Sequence, residues 1–264
     1  MSRHILCVLH QAHSTTGQVG VALRQLGHRV QVVRPLIGQS MPRQICRFDG
    51  MIVFGGPMSA NDDHLPGISK ELQAIERWMH MDRPVWGICL GAQLMARVLG
   101  SEVYSHPKNR VEVGWYPINP VGQGKRIFGT LTHVYQWHRE GFELPDGAAR
   151  LAFGEAMGPF REQAYMVGRH AFATQFHPEM YLKMMNTWLA RAGHMTELPG
   201  AHAKETIPKN IATCLKSRHF LDFFFRRIER NSTGGKPLSI TLVSFLHSVL
   251  MFSPYSHEKS TSSL

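Results

Sequence analysis

Cys89 stands in the stretch WGICLGAQL (86–94), flanked by Gly87 and Gly91, after an apolar run and before one of helical period. A nucleophile on a sharp strand-to-helix turn leaves the sheet with its side chain exposed at the strand's carboxyl end. Such a turn crowds its neighbours, and small residues on either side relieve the crowding. The helix that follows points its N–H groups and positive dipole end at the sulfur, which favours thiolate. Settings of this kind lower a cysteine pKa from about 8.5 into the range of roughly 3.5–7.5. The backbone N–H of Leu90, next in the chain, is placed to donate to a developing oxyanion. The same spacing also suits a chemically silent cysteine buried in a tight βα turn.

A second stretch, TQFHPE (174–179), bears on that choice. It puts His177 and Glu179 at the end of an expected strand. In extended chain, residues two apart point to the same side, so Glu179 can orient the His177 imidazole while Pro178 stiffens the link. Nucleophile, base and orienter are the parts that covalent acyl transfer requires. Among sixteen histidines a lone one says little, but His-Pro-Glu after an apolar run and downstream of G-x-C-x-G says more.

Other motifs carry less. His10 and His13 in HQAH have no carboxylate at ligand spacing and read as surface or loop histidines rather than a metal site. The FGGP of residues 54–57 lacks the G-K-[ST] ending of a phosphate loop. The ANDD of residues 60–63 reads as a polar loop with helix-capping potential. Cys7, Cys46 and Cys214 read as buried or incidental, and neither metal nor cofactor is expected.

In GICLGAQ, FGGPMSAND and QFHPE, the chain resembles the class I glutamine amidotransferases, above all their stand-alone, GMP-synthase-like members. The resemblance covers roughly residues 3–230. It implies a Cys89–His177–Glu179 triad that releases ammonia from the glutamine side-chain amide. It also implies an oxyanion hole made by the backbone N–H groups of Gly56 and Leu90. Gln93 matches the family position that contacts bound glutamine. YQWHREGF (135–142) resembles the family segment whose backbone clamps the substrate, which implies Trp137 and His138 at the pocket. Two departures stand out. Arg139 occupies a position where close relatives often carry glycine, and the stretch 155–165 looks longer than its family counterpart, so a different pocket rim is expected. No synthetase-like stretch is recognisable in these 264 residues, so an ammonia-accepting synthetase is expected as a partner in trans. Two alternatives stay open: a γ-glutamyl hydrolase using the same triad on another γ-glutamyl amide, and a non-catalytic binding or regulatory subunit.

Positioning these residues takes a particular set of elements. Apolar runs at 5–10, 28–35, 49–56 and 83–88 alternate with helix-period stretches at 16–27, 67–81 and 91–100. That alternation predicts βαβ units and a three-layer α/β sandwich around a mainly parallel sheet. The β-rich runs 112–121, 149–154, 163–168 and 170–179 predict an antiparallel extension and a return to the main sheet. Helices are expected over 180–193 and 207–230, with Phe220, Phe223, Phe224 and Phe225 as core. Residues 1–231 read as one domain. Residues 232–264 read as a linker and a tail, either poorly ordered or an interaction segment. Its uncharged apolar run of about 15 residues falls short of the roughly 20 needed to span a bilayer, so a membrane anchor is not favoured.

Composition sets the outer bounds. Hydrophobic residues at 43% and charged residues at 18% describe a soluble globular chain. The net charge of +10 raises a nucleic-acid partner, but the basic residues are spread along the chain without a cluster or a nucleic-acid module, so none is favoured. Four cysteines without a C-x-x-C pair point to a reducing, cytoplasmic setting. The N-terminal apolar run is too short for a signal peptide.

Overall fold

The computed structural model describes residues 2–129 and 131–209. Its first half follows the expected alternation: β1 (His4–Val8), α1 (Gly17–Gln25), β2 (Arg29–Val33), β3 (Gly50–Val53), α2 (Pro66–His80), β4 (Val85–Ile88) and α3 (Leu90–Val98). The second half adds β5 (Val103–Ser105), β6 (Glu112–Pro117), β7 (Asn119–Pro120), α4 (Gly124–Phe128), β8 (His133–His138), β9 (Glu140–Phe142), β10 (Ala149–Phe153), β11 (Glu162–Val167), β12 (Ala171–Thr174) and α5 (Leu182–Ala192).

The main sheet runs β2-β1-β3-β4-β12-β11-β10-β7. From β2 to β12 its neighbours are parallel, and from β12 to β7 they are antiparallel. β3 and β4 are buried along their whole length, as continuous apolar strands covered on both faces must be. Their side chains alternate between two cores. Ile5, Ile52, Trp86 and Ile88 pack with Val19 and Leu23 of α1 and with Ile127 and Phe128 of α4. Leu6, Val8, Met51 and Val53 pack with Ile68, Ile75 and Trp78 of α2 and with Leu94 and Met95 of α3. This is the three-layer α/β sandwich that the sequence predicts.

α2 opens with Pro66, where a missing N–H costs no helical bond. It buries Ile68, Glu71, Ala74, Ile75 and Trp78 at helical spacing. Glu71 is the polar member of that apolar stripe.

Two expectations need correction. The run 112–121 is not one strand: β6 pairs antiparallel with β8 in its own two-stranded ladder, and only β7 joins the main sheet, beside β10. The run 170–179 is strand only as far as Thr174. Beyond it the Gln175 N–H donates to the Gln163 carbonyl and the His177 N–H to the Tyr135 carbonyl at 2.9 Å. The chain thus leaves β4 and crosses to β8, and Pro178 has no N–H with which to continue a ladder. α5 closes over β6 and β8 through a third core that includes Trp115, Tyr135, Met185 and Leu189. Of the helix expected at 207–230, only a short 3-10 turn over 207–209 is described; the rest, with its phenylalanines, Cys214 and the 232–264 stretch, lies outside the described residues.

Candidate active site

Cys89 joins β4 to α3 with φ 51° and ψ −108°, a conformation that non-glycine residues rarely adopt. Hydrogen bonds hold it on both sides. Its N–H donates to the Thr174 carbonyl at 2.8 Å, and its carbonyl accepts the Gln93 N–H at 3.0 Å. The Trp86 indole N–H also reaches the Thr174 hydroxyl, at 3.1 Å, tying β4 to β12 just below the turn. Gly91 lets α3 press on β3, since a β-carbon there would stand 2.1 Å from the Val53 carbonyl oxygen. The thiol is nearly buried and lies at a cavity of about 400 Å³ that His177, Gly55, Gly56, Gln93 and Trp137 also line.

The imidazole of His177 is buried, and its Nδ1 lies 2.8 Å from Glu179 Oε1. The pair is made across a turn, not along one face of a strand as its spacing suggests. The Gln18 N–H, in the first turn of α1, donates to the Glu179 carbonyl at 2.8 Å and fixes that turn from behind. Burial opposes a charge on His177, but the Glu179 carboxylate and the Cys89 sulfur outweigh it and raise its pKa to about 10. Its Nε2 is buried without a conventional hydrogen-bond partner. Trp188 of α5 meets the ring edge to face at 4.9 Å and Trp137 at 5.8 Å. Nothing in the chain marks Trp188 beforehand; it reads there as one more apolar residue of an amphipathic helix.

Gly55 and Gly56 follow β3 and face this pair. A β-carbon on Gly55 would stand 2.7 Å from His177 Cε1 and 3.4 Å from Cys89 Cβ. Among the described residues, no hydrogen bond uses the N–H of Gly56 or of Leu90.

Gln93, Trp137 and His138 all border the cavity, but not alike. Gln93 is anchored through Nε2 to the Glu140 carbonyl at 2.8 Å and to Gln175 Oε1 at 3.3 Å. Trp137 stacks on Tyr135 at 6.3 Å and presents a half-buried face. The His138 side chain is turned inward. Its Nδ1 meets the Glu140 carbonyl at 2.8 Å and its Nε2 meets Glu112 Oε2 at 3.0 Å, so both ring nitrogens are already engaged. The residue lies at the cavity while its ring braces β6, β8 and β9. Phe160 packs behind it at 5.0 Å. The 155–165 stretch does not line the cavity, contrary to the expectation that it reshapes the rim. Arg139, Arg191, His13 and His194 do line it, and all four are exposed.

The first histidine of HQAH departs furthest from its expected place. His10 is fully buried, its Nδ1 3.0 Å from the Gly55 carbonyl oxygen and its Nε2 2.8 Å from Glu71 Oε2. Burial works against a charged ring, yet the Glu71 carboxylate and the two hydrogen bonds outweigh it and raise the His10 pKa. The sequence hides this pair because 61 positions separate its members. His13, by contrast, is exposed as expected. Among the described residues, no group of three or more His, Cys, Asp or Glu gathers as metal ligands do. Cys7 is buried and Cys46 exposed.

A cysteine at positive φ on a strand-to-helix turn and a buried histidine–carboxylate pair, on a mainly parallel sheet with helices on both faces, describe an amidotransferase-like α/β protein. The family profile of glutamine amidotransferase class-I matches residues 9–194, and the chain belongs to that family. It is 28% identical over 209 residues to glutamine amidotransferase-like protein YfeJ of Salmonella typhimurium, covering 76% of this chain and 84% of that one. It is 31% identical over 166 residues to one subunit of the glutamine-hydrolyzing GMP synthase of Natronomonas pharaonis, covering 60% of this chain and 79% of that one. The crystal structure of a glutamine amido transferase from Methylobacillus flagellatus superposes with a TM-score of 0.78 at 26% identity, covering 86% of this chain and 96% of that one.

Proposed function

We propose that the chain hydrolyses the side-chain amide of glutamine through a γ-glutamyl thioester on Cys89. The observation that carries this reading is the buried His177–Glu179 pair at 2.8 Å beside a cysteine held at positive φ. In the forward step the Cys89 thiolate attacks the amide carbon, and the N–H groups of Gly56 and Leu90 donate to the oxyanion. The His177 imidazolium gives its proton to the departing nitrogen, which leaves as ammonia. His177 then takes a proton from water, whose oxygen attacks the thioester carbonyl, freeing glutamate and restoring the thiolate. Glu179 holds the ring and balances its charge throughout. Gln93 and Trp137 border the substrate. In this reading a separate synthetase receives the ammonia in trans, the compartment is cytoplasmic, and residues 1–231 suffice for the chemistry, with 232–264 outside it. Among the described residues no helix is long and apolar enough to cross a membrane.

A second reading keeps the triad and changes the substrate to another γ-glutamyl amide. It is favoured by the exposed Arg139 and Arg191 at the cavity, which suit a leaving group that carries its own anion. Purified protein offered glutamine and a panel of γ-glutamyl amides, with ammonia and free glutamate both measured, separates the two. Glutamate release without ammonia marks the second reading. No release from any of them, by a protein whose Cys89 still reacts with an electrophile, sinks both.

A further inference from the structure

The mechanism above leaves His10 and Glu71 unused, although both are completely buried and lie directly behind the reacting groups. His10 does not line the cavity. It sits against the far side of the glycine pair, where a β-carbon on Gly56 would stand 2.8 Å from His10 Cγ. Its Nδ1 holds the Gly55 carbonyl oxygen at 3.0 Å.

A peptide unit is planar and trans, so its C=O and the following N–H point in opposite directions. The Gly55 carbonyl and the Gly56 N–H belong to one such unit. Drawing the carbonyl toward His10 therefore turns the Gly56 N–H away from His10, toward the side on which a β-carbon of Gly55 would meet His177 and Cys89. Two consecutive glycines resist rotation of this unit less than any other pair of residues. Something outside the loop must set its direction, and His10 is placed to do so. Glu71 Oε2, 2.8 Å from Nε2, anchors the ring to α2. Its carboxylate can only accept when ionised, as a carbonyl does, so this arrangement is complete with Nδ1 and Nε2 both protonated.

We propose that His10, held by Glu71, is a positioning residue that locks the Gly55–Gly56 peptide with its N–H facing Cys89. The inference rests on the reading of Gly56 as an oxyanion donor. Loss of one such donor typically lowers turnover about 10²- to 10³-fold, and a donor left free to turn away costs less.

The test compares His10→Leu, which fills the space without a donor, with His10→Asn, whose amide nitrogen lies near the place of Nδ1. The parent's best γ-glutamyl substrate serves as the probe, and iodoacetamide reports on Cys89 alone by peptide mass spectrometry, because alkylation develops no oxyanion. His10→Leu is expected to lower kcat roughly 10- to 100-fold with KM and the alkylation rate within about threefold of the parent. His10→Asn is expected to recover most of that loss. Separately, imidazole 15N spectra of the parent, assigned through His10→Asn, should show a proton on His10 Nδ1 at neutral pH. A parent kcat in folded His10→Leu, a His10→Asn no better than His10→Leu, or a bare Nδ1 each overturns the inference. If His10→Leu does not fold, His10→Asn against the parent and the 15N spectra decide: a kcat more than about tenfold down, or a bare Nδ1, is fatal, and the converse pair supports it. A parent without turnover on any substrate defeats the proposed function, and the 15N result then still judges the lock.

Discussion

Gly87 and Gly91 face each other across the turn that carries Cys89: a β-carbon on Gly87 would stand 2.5 Å from the Gly91 carbonyl oxygen. The last turn of strand and the first turn of helix are in backbone contact, and no side chain fits between them. Forcing a methyl group into such a contact costs about 1–3 kcal/mol. Gly87→Ala and Gly91→Ala are expected to lose that much stability in denaturant unfolding. Their turnover is expected to fall much further than the unfolded fraction explains, because the shift needed to admit the methyl moves Cys89. Parent-like stability in both would show that the turn is not close-packed.

The three side chains proposed for catalysis should fail in a recognisable order. Cys89→Ala is expected to abolish turnover and keep the fold. His177→Ala should be nearly as inactive, and the double variant little worse than either, since parts of one unit do not add. Glu179→Gln should retain more, because it leaves the base in place. An electrophilic glutamine analogue should label Cys89 and spare Cys7, whose thiol burial holds up at a pKa of about 12. Cys46 is exposed and will take up a general alkylating reagent, so labelling has to be read peptide by peptide.

The pKa of about 10 on His177 has a sign that experiment can read. The value lies above the ordinary 6.5, so the protonated ring is favoured by folding. That contribution is fully present below about pH 6.5 and is lost as pH rises through about 10. In Glu179→Gln the principal cause of the rise is gone. The stability gap between parent and variant should therefore narrow between pH 6.5 and 10, and the alkaline limb of kcat should move to lower pH. Urea midpoints across that range check the first expectation, and a pH profile of hydrolysis the second. A gap that stays constant would mean that Glu179 does not set the charge of His177.

Arg139 is exposed at the cavity, in the link between β8 and β9, and Arg191 enters from the last turn of α5. A charge-assisted hydrogen bond to a substrate carboxylate contributes about 1.5 kcal/mol or more, which is roughly tenfold in affinity. With the exposure of these side chains, Arg139→Gly is expected to lower kcat/KM for γ-glutamyl substrates with an anionic leaving group by about three- to tenfold relative to glutamine. Unchanged ratios across the panel would retire Arg139 as a selectivity residue.

What can be read in the chain alone follows from how far apart the cooperating residues lie. Cys89 between its glycines is a local pattern that local geometry interprets, whereas His177 and Glu179 are neighbours in the chain but meet across a turn that their spacing does not show. The direction of the His138 ring is not legible locally because it depends on register: β6 and β8 pair Glu112 directly opposite it, and that carboxylate holds the imidazole across the ladder. The His10–Glu71 pair depends on α2 laying its buried face over β1 and β3, which no window of the chain reveals. The end of β12 at Thr174 is hidden for a similar reason. The apolar pattern continues through Phe176, but hydrogen bonds to β11 and β8 draw the chain away from β4.

The φ of 51° at Cys89 sets the reactive candidate against the fold that holds it. A side chain in such a conformation costs on the order of 1–3 kcal/mol, a burden glycine would not carry. Replacing Cys89 with glycine should therefore yield a protein that is catalytically dead yet no less stable than its parent. A lineage under pressure for robustness alone would drift toward that replacement. Under the proposed function, cysteine is kept at this position for its chemistry alone, which makes residue 89 a ready marker for telling working variants of this chain from retired ones.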